Sequence, residues 1–367
     1  MGKLVRAIGL MSGTSMDGID VALLDSDGQS ELRHGPAASY PYPADVKVKL
    51  RTALSEARQL REPGDRPGSL GEVEHALTML NAQAVDRFLR SNGIGQSAIG
   101  LIGYHGQTVL HEPDRALTVQ LGNGHLLAER TGIDVVYDLR AADVASGGQG
   151  APLVPVYHRA LAIQRKDLPA AFLNIGGVAN VTWVGVRLLA FDTGPGNALL
   201  DDWMLQHTGA AQDGDGATAG RGRVDQTALQ ELLTHRYFGE PPPKSLDRNT
   251  FSSKPVAKLS LEDGAATLCA FTAATIAKAR AHMPQEPKIW IVSGGGRKNK
   301  TLMAMIAANV QNALVPVEAI GLNGDSIEAE AWAYLAVRSS LGLPITYPET
   351  TGVSEPMTGG MLAKAPH

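Results

Sequence analysis

Cysteine is nearly absent from this chain of 367 residues, since Cys269 is the only one. A single cysteine excludes an intramolecular disulfide framework and any zinc cluster built from several thiolates, and it favours a reducing compartment. Cys269 lies in the apolar stretch TLCAFTAATIAKA, whose helical pattern predicts a buried core thiol rather than a reactive one. The chemistry must therefore come from other side chains.

An excess of one charge and long hydrophobic runs are missing as well. The 33 lysines and arginines nearly balance the 37 aspartates and glutamates, and the net charge of −4 gives no electrostatic reason to expect a nucleic-acid or acidic-membrane partner. The sequence has no run of about 18 apolar residues that could cross a bilayer. Its first 15 residues lack the apolar core and cleavage site of a secretory signal. We expect a cytoplasmic protein that binds neither nucleic acid nor membrane.

Several nucleotide-binding and hydrolase motifs do not occur. There is no GxxxxGK[ST] loop and no GxGxxG after an apolar strand, which excludes a P-loop protein and removes the fingerprint of a dinucleotide-binding fold. Neither GxSxG nor HExxH occurs, which argues against an α/β-hydrolase and a zincin. These absences leave phosphoryl transfer without Walker loops as the class to consider.

Glycine, by contrast, is abundant, with 41 residues against a usual share of roughly 7%. Four glycine-rich turns adjoin apolar strands, and glycine allows the backbone to approach a phosphate closely. Each turn taken alone is most simply a plain hairpin, so only the set of four is informative. The four turns are LMSGTSMDGID (10–20), NIGGVAN (174–180), FDTGPGN (191–197) and VSGGGRKN (292–299).

The order of elements repeats once along the chain. An apolar strand (4–11), a small polar turn (12–18) and a second apolar strand (19–24) open the sequence, and the same order returns at 171–184. A single duplication of α/β architecture predicts two similar halves with a cleft between them. Other predicted elements are helices at 46–57 and 70–91 and strands at 99–104, 117–121 and 133–137.

The glycine-rich stretch ASGGQGAPLVP (145–155) marks the predicted boundary between the halves. We assign residues 1–145, together with the tail 340–367, to an N-terminal lobe and residues 146–339 to a C-terminal lobe. The last helix, at 326–341, can also cross back to support the first half, and sequence order leaves this open.

Three further strings are chemically unusual: YHGQT (104–108), DLRAADVASGGQGAPLVP (138–155) and PPKS (242–245). Together with the four turns, and in this order, they closely resemble the anhydro-N-acetylmuramic acid kinase family over nearly the whole chain. Two segments outside the strings, 59–69 and 213–223, are predicted to be flexible and to need no role in catalysis.

The resemblance implies an α/β, two-lobed actin-like ATPase fold of the ribonuclease-H-like type, with duplicated halves and ATP in the cleft. It implies a kinase that opens 1,6-anhydro-N-acetylmuramic acid hydrolytically and phosphorylates O6, giving N-acetylmuramic acid 6-phosphate and ADP in peptidoglycan recycling. A homodimer is the expected assembly. The alternatives are a kinase of the same superfamily that acts on a free sugar without hydrolysis, and a non-catalytic nucleotide-gated assembly protein.

The glycine-rich turns supply the predicted ATP site, and hydroxyls in the first turn add hydrogen-bond donors. Asp17 is the predicted Mg²⁺ ligand, because ATP needs Mg²⁺ and a hard cation is held by oxygen ligands. An aspartate that only shapes a hairpin turn is the other interpretation. The predicted ATP contacts are Ser12, Gly13, Thr14, Ser15, Met16, Asp17, Gly18, Ile19, Gly176, Gly177, Gly194, Gly196, Asn197, Ser293, Gly294, Gly295 and Gly296.

Two carboxylates are the predicted catalytic groups. Asp192 ends an apolar strand before a glycine turn, where a carboxylate can project into a cleft and take the proton of water. Asp192 can equally cap the helix expected near Pro195. By the resemblance, Glu328 orients the same water, although a solvated glutamate on a helix face is the simpler interpretation and Glu330 is the alternative in register.

Polar residues in two of the strings are the predicted substrate contacts. His105, Gln107 and Thr108 supply fixed polar groups for the N-acetyl and lactyl substituents, although His105 can also be an ordinary turn histidine. Arg140 and Asp143 are the other two predicted substrate contacts, and Arg140 can bind the lactyl carboxylate bidentately. A structural salt bridge between Arg140 and Asp143 is equally compatible with the sequence.

Overall fold

The computed structural model describes residues 2–13 and 16–366. Thr14 and Ser15, two of the predicted ATP contacts, lie outside the described residues. The chain divides into two compact units, one formed by Met1–Arg165 with Ser326–His367 and the other by Lys166–Asp325. Each unit has its own sheet and its own hydrophobic core.

The first unit begins with a strand and ends with one. Its strands are β1 (Val5–Met11), β2 (Gly18–Ser26), β3 (Leu32–Pro41), β4 (Leu101–Tyr104), β5 (Gln107–Glu112), β6 (Leu117–Leu121), β7 (Val135–Tyr137) and β13 (Met361–Ala363). Its helices are α1 (Ala44–Ala57), α2 (Leu70–Ser91), α3 (Gly124–Thr131), α4 (Ala141–Ala145), α5 (Pro155–Arg165), α10 (Ile327–Ser340) and α11 (Pro348–Thr351).

A six-stranded sheet in the order β13-β7-β4-β1-β2-β3 forms the centre of this unit. The strands β1, β2 and β3 form an antiparallel meander, which confirms the predicted first hairpin, while β4 runs parallel to β1 and β7 parallel to β4. Strands β5 and β6 pair separately. The predicted strand at 117–121 and the predicted helix at 70–91 are confirmed with the same bounds.

Two glycines let α10 lie directly on the sheet. A Cβ at Gly9 of β1 would stand 1.7 Å from the carbonyl oxygen of Ala329, and one at Gly103 of β4 would stand 2.1 Å from that of Trp332. Such distances leave no room for a side chain, so the helix backbone packs against the strand backbone at both points. This contact fixes the N-terminal half of α10, which carries Glu328, over the ends of β1 and β4.

The second unit has a sheet with a similar order of strands. Its strands are β8 (Ala170–Ile175), β9 (Val178–Val184), β10 (Leu188–Pro195), β11 (Ile289–Ser293) and β12 (Ala313–Pro316), and its helices are α6 (Ala198–Thr208), α7 (Gln226–Leu232), α8 (Leu261–Ala279) and α9 (Lys300–Val310). The sheet order is β10-β9-β8-β11-β12, again an antiparallel meander followed by two strands parallel to its first member. Cys269 is buried in α8, as predicted, and burial raises the pKa of its thiol to about 12.

The shared strand order, an antiparallel meander followed by parallel strands in each unit, confirms the predicted fold class, a duplicated α/β fold of the ribonuclease-H-like type. Within the part of the chain that the structure describes, no helix combines the length and the apolar character needed to cross a membrane.

The unit boundaries differ from the predicted ones at 145/146 and 339/340. They lie at 165/166 and 325/326, because α5 and α10 both belong to the first unit. The Tyr157 hydroxyl of α5 donates to Glu330 of α10 over 2.6 Å, and the Gln164 amide donates to the carbonyl of Leu32 over 2.8 Å. These contacts hold α5 and α10 to the first sheet, so the last helix does cross back.

Candidate active site

Ser12 and Gly13, which follow β1, contact side chains from three other segments of the first unit. The buried Ser12 hydroxyl lies 2.7 Å from the hydroxyl of Tyr42. The carbonyl of Ser12 lies 3.1 Å from Nδ1 of His105, and the carbonyl of Gly13 accepts from the Gln107 amide over 3.2 Å. Two residues of the YHGQT string, His105 and Gln107, therefore hold the start of the first predicted ATP turn.

His105 is a neutral histidine that links this turn to Arg140. Burial, with the Arg140 charge adding to it, lowers the pKa of His105 to about 3. In the neutral ring, Nδ1–H donates to Ser12, and Nε2 accepts from the Arg140 guanidinium over 3.2 Å. The His105 ring also packs on Trp332, with ring centroids 4.6 Å apart.

Arg140 keeps one donor available. Its guanidinium lies over the Trp332 ring at 5.3 Å and donates to the carbonyl of Gly150 over 2.7 Å as well as to His105. Its buried Nε–H has no hydrogen-bond partner among the described residues. Burial lowers the pKa of Arg140 to about 10, against the attraction of Glu328 and Asp143. Arg140 remains charged at neutral pH.

Asp143 has a different task from the one predicted. Its buried carboxylate accepts from the Gly150 backbone N–H over 2.6 Å and from the Thr351 hydroxyl over 2.7 Å. No ion pair joins Asp143 to Arg140 within residues 2–13 and 16–366. Because both oxygens are engaged, Asp143 closes the loop before α5 and does not present a free oxygen to a ligand.

The remaining predicted substrate contacts differ in what they offer. The Gln107 side chain is buried, and its Oε1 has no hydrogen-bond partner in the described structure. The Thr108 hydroxyl is half-buried and accepts from Gln120 over 3.4 Å. Gln107 is thus the better placed of the two.

The two glutamates of α10 have opposite environments. Glu330 is buried and accepts from Tyr157 over 2.6 Å, with His34 at 3.0 Å and the Ser326 hydroxyl at 3.3 Å. Glu328 is an exposed residue, yet desolvation by the surrounding protein raises the pKa of its carboxyl, with the Arg140 charge opposing this rise and Asp20 adding to it. Glu330 is thus engaged within the fold, whereas the Glu328 carboxyl has no hydrogen-bond partner among the described residues.

Asp17 is exposed at the end of the first turn. Its carboxylate lies 3.9 Å from the Lys47 ammonium, and 80% of its side chain is accessible. Among the described residues no group of three or more histidines, cysteines and carboxylates is placed to hold a metal. Asp17 therefore fits a Mg²⁺ that takes most of its ligands from phosphates and water, which is the usual arrangement for this ion.

In the second unit, Asp192 lies on β10 just before a shift of register between β10 and β9. Its Oδ2 accepts from the Leu246 backbone N–H over 2.7 Å, whereas Oδ1 has no hydrogen-bond partner in the described part of the chain. Burial raises the pKa of Asp192 to about 6, and the Leu246 N–H opposes this rise. Asp192 caps no helix, because α6 begins at Ala198 with Asn197 in the capping position.

The glycine turns of this unit are bound to each other through the backbone. The N–H groups of Gly196 and Asn197 donate to the carbonyls of Gly177 and Gly176 over 2.9 and 2.7 Å. A Cβ at Gly196 would stand 2.2 Å from the Gly176 oxygen. Gly294 adopts φ of 76°, where a side chain would be strained in any case.

A polar cavity of about 210 Å³ opens beside these turns within the second unit. Two of the predicted ATP contacts, Asn197 and Gly295, line it. Asp213 and Asp215 also line it, so the segment 213–223 contributes to the cavity wall. The cavity is lined by Asn197, Leu200, Asp201, Gln212, Asp213, Asp215, Gly295, Lys298 and Asn299.

The family profile for anhydro-N-acetylmuramic acid kinase matches residues 5–365. The chain belongs to this family. It is 50% identical to the anhydro-N-acetylmuramic acid kinase of Agrobacterium fabrum over all of both chains, and 51% identical to that of Methylorubrum populi over 98% of this chain and 99% of the relative. The predicted family and enzyme class are confirmed.

Solved structures resemble this family member more distantly. The ADPNP-bound activator of 2-hydroxyisocaproyl-CoA dehydratase from Clostridium difficile aligns with a TM-score of 0.45 and 10% identity, over 92% of this chain and 96% of its own. The ROK hexokinase from Thermus thermophilus aligns with a TM-score of 0.42 and 14% identity, over 92% and 100%. Kinases transfer the γ-phosphoryl group of a nucleotide, so membership of an anhydro-N-acetylmuramic acid kinase family supports ATP use.

Proposed function

We propose that this protein opens 1,6-anhydro-N-acetylmuramic acid with water and phosphorylates the released O6 with ATP, forming N-acetylmuramic acid 6-phosphate and ADP. The observation that carries the proposal is the half-buried Asp192 carboxylate, with a raised pKa and one uncommitted oxygen, in a chain 50% identical to kinases named for this sugar.

In the proposed reaction, Oδ1 of Asp192 takes a proton from water while the water oxygen bonds to the anomeric carbon. The bond from that carbon to O6 breaks, and its electron pair stays on O6. O6 then bonds to the γ-phosphorus of ATP as the bond to the β-phosphate oxygen breaks and ADP leaves. The proton on Asp192 returns to solvent. A base with a pKa of about 6 is ionised at neutral pH and still accepts a proton readily.

Side chains of the first unit are proposed to orient the sugar. Arg140 keeps an unpartnered Nε–H and a positive charge, which suits the lactyl carboxylate, and Gln107 keeps an unpartnered Oε1, which suits an N–H or hydroxyl donor. Glu328 is proposed to orient the water, since it is an exposed residue whose carboxyl has a raised pKa. His105 holds Arg140 in place through Nε2.

The nucleotide is proposed to use the cavity of the second unit and the glycine turns beside it. Backbone N–H groups that face a phosphate would replace the lysine of a Walker loop. Asp17 would hold Mg²⁺ through one oxygen. The ion supplies charge neutralisation at the phosphates when bound.

Isotope labelling tests the hydrolytic step. The protein is incubated with ATP and the anhydro sugar in ¹⁸O-labelled water, and the product is examined by mass spectrometry. We expect one labelled oxygen at the anomeric hydroxyl and none in the phosphate. A free-sugar kinase would phosphorylate N-acetylmuramic acid or another open hexose at a comparable rate and would leave the anhydro sugar untouched, which would contradict the proposal.

The biological setting is proposed with the reaction. The substrate is a fragment of cell-wall peptidoglycan, so the protein would act in peptidoglycan recycling in the cytoplasm. We propose a homodimer as the working assembly. Light scattering at assay concentration measures the mass of the assembly. A mass close to that of one chain, 38.7 kDa, would contradict the homodimer.

A further inference from the structure

We propose that residues 237–246, here called the base clamp, act as a positioning element that holds the Asp192 carboxylate in the orientation a general base needs. This rests on the proposed function, in which Asp192 is the base. The clamp has no assigned role, and the PPKS string lies within it.

The clamp makes three hydrogen bonds to a single residue. The Asp192 backbone N–H donates to the Lys244 carbonyl over 3.1 Å, its carbonyl accepts from the Tyr237 hydroxyl over 2.7 Å, and its Oδ2 accepts from the Leu246 N–H over 2.7 Å. Strand β10 lies at the edge of its sheet, where outward backbone groups have no strand partner. The clamp supplies hydrogen-bond partners for the backbone N–H and carbonyl of Asp192, and it also holds one oxygen of the Asp192 carboxylate.

Aromatic packing makes the clamp rigid. Phe238 and Phe251 stack with centroids 5.4 Å apart, and both meet Phe271 of α8 edge to face, at 5.9 and 5.6 Å. The Lys244 ammonium donates to the Tyr237 carbonyl over 2.9 Å and lies 4.5 Å from the centre of the Tyr237 ring. The segment is thus bound both to the core and to itself.

The contact from Leu246 matters for the chemistry because a hydrogen bond to a carboxylate favours its charged form. This contact opposes the effect of burial on the pKa of Asp192 and leaves Oδ1 as the oxygen without a hydrogen-bond partner in the described structure. Only the backbone N–H of Leu246 is needed, so the side chain can change without effect on the contact.

Two substitutions at one position separate the N–H from the side chain. Leu246→Pro deletes the N–H, and Leu246→Ala retains it. The measurement is a ¹³C NMR titration of the Asp192 carboxyl carbon, assigned by its loss in Asp192→Asn. We expect the midpoint to rise by roughly one pH unit in Leu246→Pro and to stay at the wild-type value in Leu246→Ala. The acid limb of the kcat profile should move with it, while the KM for ATP changes less than about twofold.

An unchanged midpoint in a folded Leu246→Pro protein would overturn the proposal. If that variant does not fold, Tyr237→Phe decides, because it keeps the ring and loses the bond to the Asp192 carbonyl. We expect kcat to fall about tenfold with KM unchanged, and a kcat within twofold of wild type would overturn the clamp. The NMR midpoint needs no turnover. If the wild type ignores the anhydro sugar but the midpoint still shifts, the proposed function fails and the clamp stands.

Discussion

The two units open with the same strand, turn and strand, and they hold the turn in different ways. In the first unit, side chains hold it: the Tyr42 hydroxyl meets Ser12, His105 meets the Ser12 carbonyl, and Gln107 donates to Gly13. In the second unit, backbone groups hold it, because Gly196 and its neighbour donate to the carbonyls of the Gly-Gly turn.

The difference separates two kinds of tolerance. A turn held by side chains can be retuned by substitution or protonation of those side chains, whereas a turn held by backbone contacts accepts no added Cβ at its points of closest approach, such as Gly196. We expect the proposed sugar contacts of the first unit to be adjustable, and the proposed base and nucleotide contacts of the second unit to be all-or-none.

The largest expected effect is at the base of the second unit. Asp192→Asn should lower kcat about 10³-fold or more, because an amide of nearly the same shape cannot take the proton of water. Affinity for ADP should stay within about twofold, since the substitution keeps the shape of the side chain. Initial rates and nucleotide titrations measure both quantities.

Asp202→Asn serves as the matched control, since Asp202 pairs with Arg248 on the surface and is expected to change kcat less than twofold. Turnover within about tenfold of wild type in Asp192→Asn would show that Asp192 is not the base.

Gly196→Ala tests the backbone-held turn. The new Cβ would stand 2.2 Å from the Gly176 carbonyl oxygen, which belongs to the backbone and cannot rotate away. We expect the free energy of unfolding to fall by about 3 kcal/mol or more, which is the upper end of the usual cost of overpacking a core. At Gly177 the nearest atom to an added Cβ is the Ala198 Cβ at 3.8 Å, so Gly177→Ala should change the free energy of unfolding by well under 1 kcal/mol. Equal denaturation midpoints for the two variants would refute the distinction.

Matched substitutions at Glu328 and Glu330 of α10 test the first unit, whose contacts we expect to be adjustable. Glu328→Gln should lower kcat about 10- to 100-fold without loss of stability, because its desolvated carboxylate is proposed to orient water. Glu330→Gln should instead lower stability by about 1 to 2 kcal/mol, since Tyr157 and His34 lose a charged acceptor. Rates and thermal melts of both proteins decide the matter, and the reverse pattern would exchange the two roles.

Much of the fold follows from the sequence because strands and helices leave periodic apolar patterns. The helix at 70–91 and the duplicated hairpins are read from such patterns. Strand β3 was not predicted, because most of its residues are exposed or half-exposed and it lacks an apolar face. The unit boundary was misplaced because the contact of Tyr157 with Glu330 joins residues 173 positions apart, and spacing does not encode such a contact.

The site was predictable where glycine and carboxylates mark strand ends, and less so elsewhere. Glu328 and Glu330 are indistinguishable in sequence, and only packing shows which one is engaged. Asp213 was overlooked because DGDG resembles a flexible loop, although its carboxylate accepts from two backbone N–H groups, at Thr218 and Ala219, and fixes the loop at the cavity. The PPKS string marks the clamp in the sequence, but its contacts with Asp192 each use a backbone group of at least one partner, which residue identity does not reveal.

The smallest expected effect is a difference in the pH dependence of the two units. Burial lowers the pKa of His105 and of His158, both in the first unit, to about 3. In the unfolded state these histidines bind protons below about pH 6.5, whereas in the folded state they stay neutral down to about pH 3. Their contribution to the free energy of unfolding therefore decreases as the pH falls from 6.5 towards 3. Burial raises the pKa of Asp192 and Asp201, in the second unit, to about 6. These groups bind protons in the folded state first, so their contribution to stability increases as the pH falls from 6 towards 4.

Hydrogen exchange of core amides, measured at pH 7 and pH 5 and corrected for intrinsic rates, should show protection falling in β1 and β4 relative to β8 and β11. Equal changes in both sheets would mean that the acid response belongs to the whole chain and not to the way each unit buries its ionisable groups.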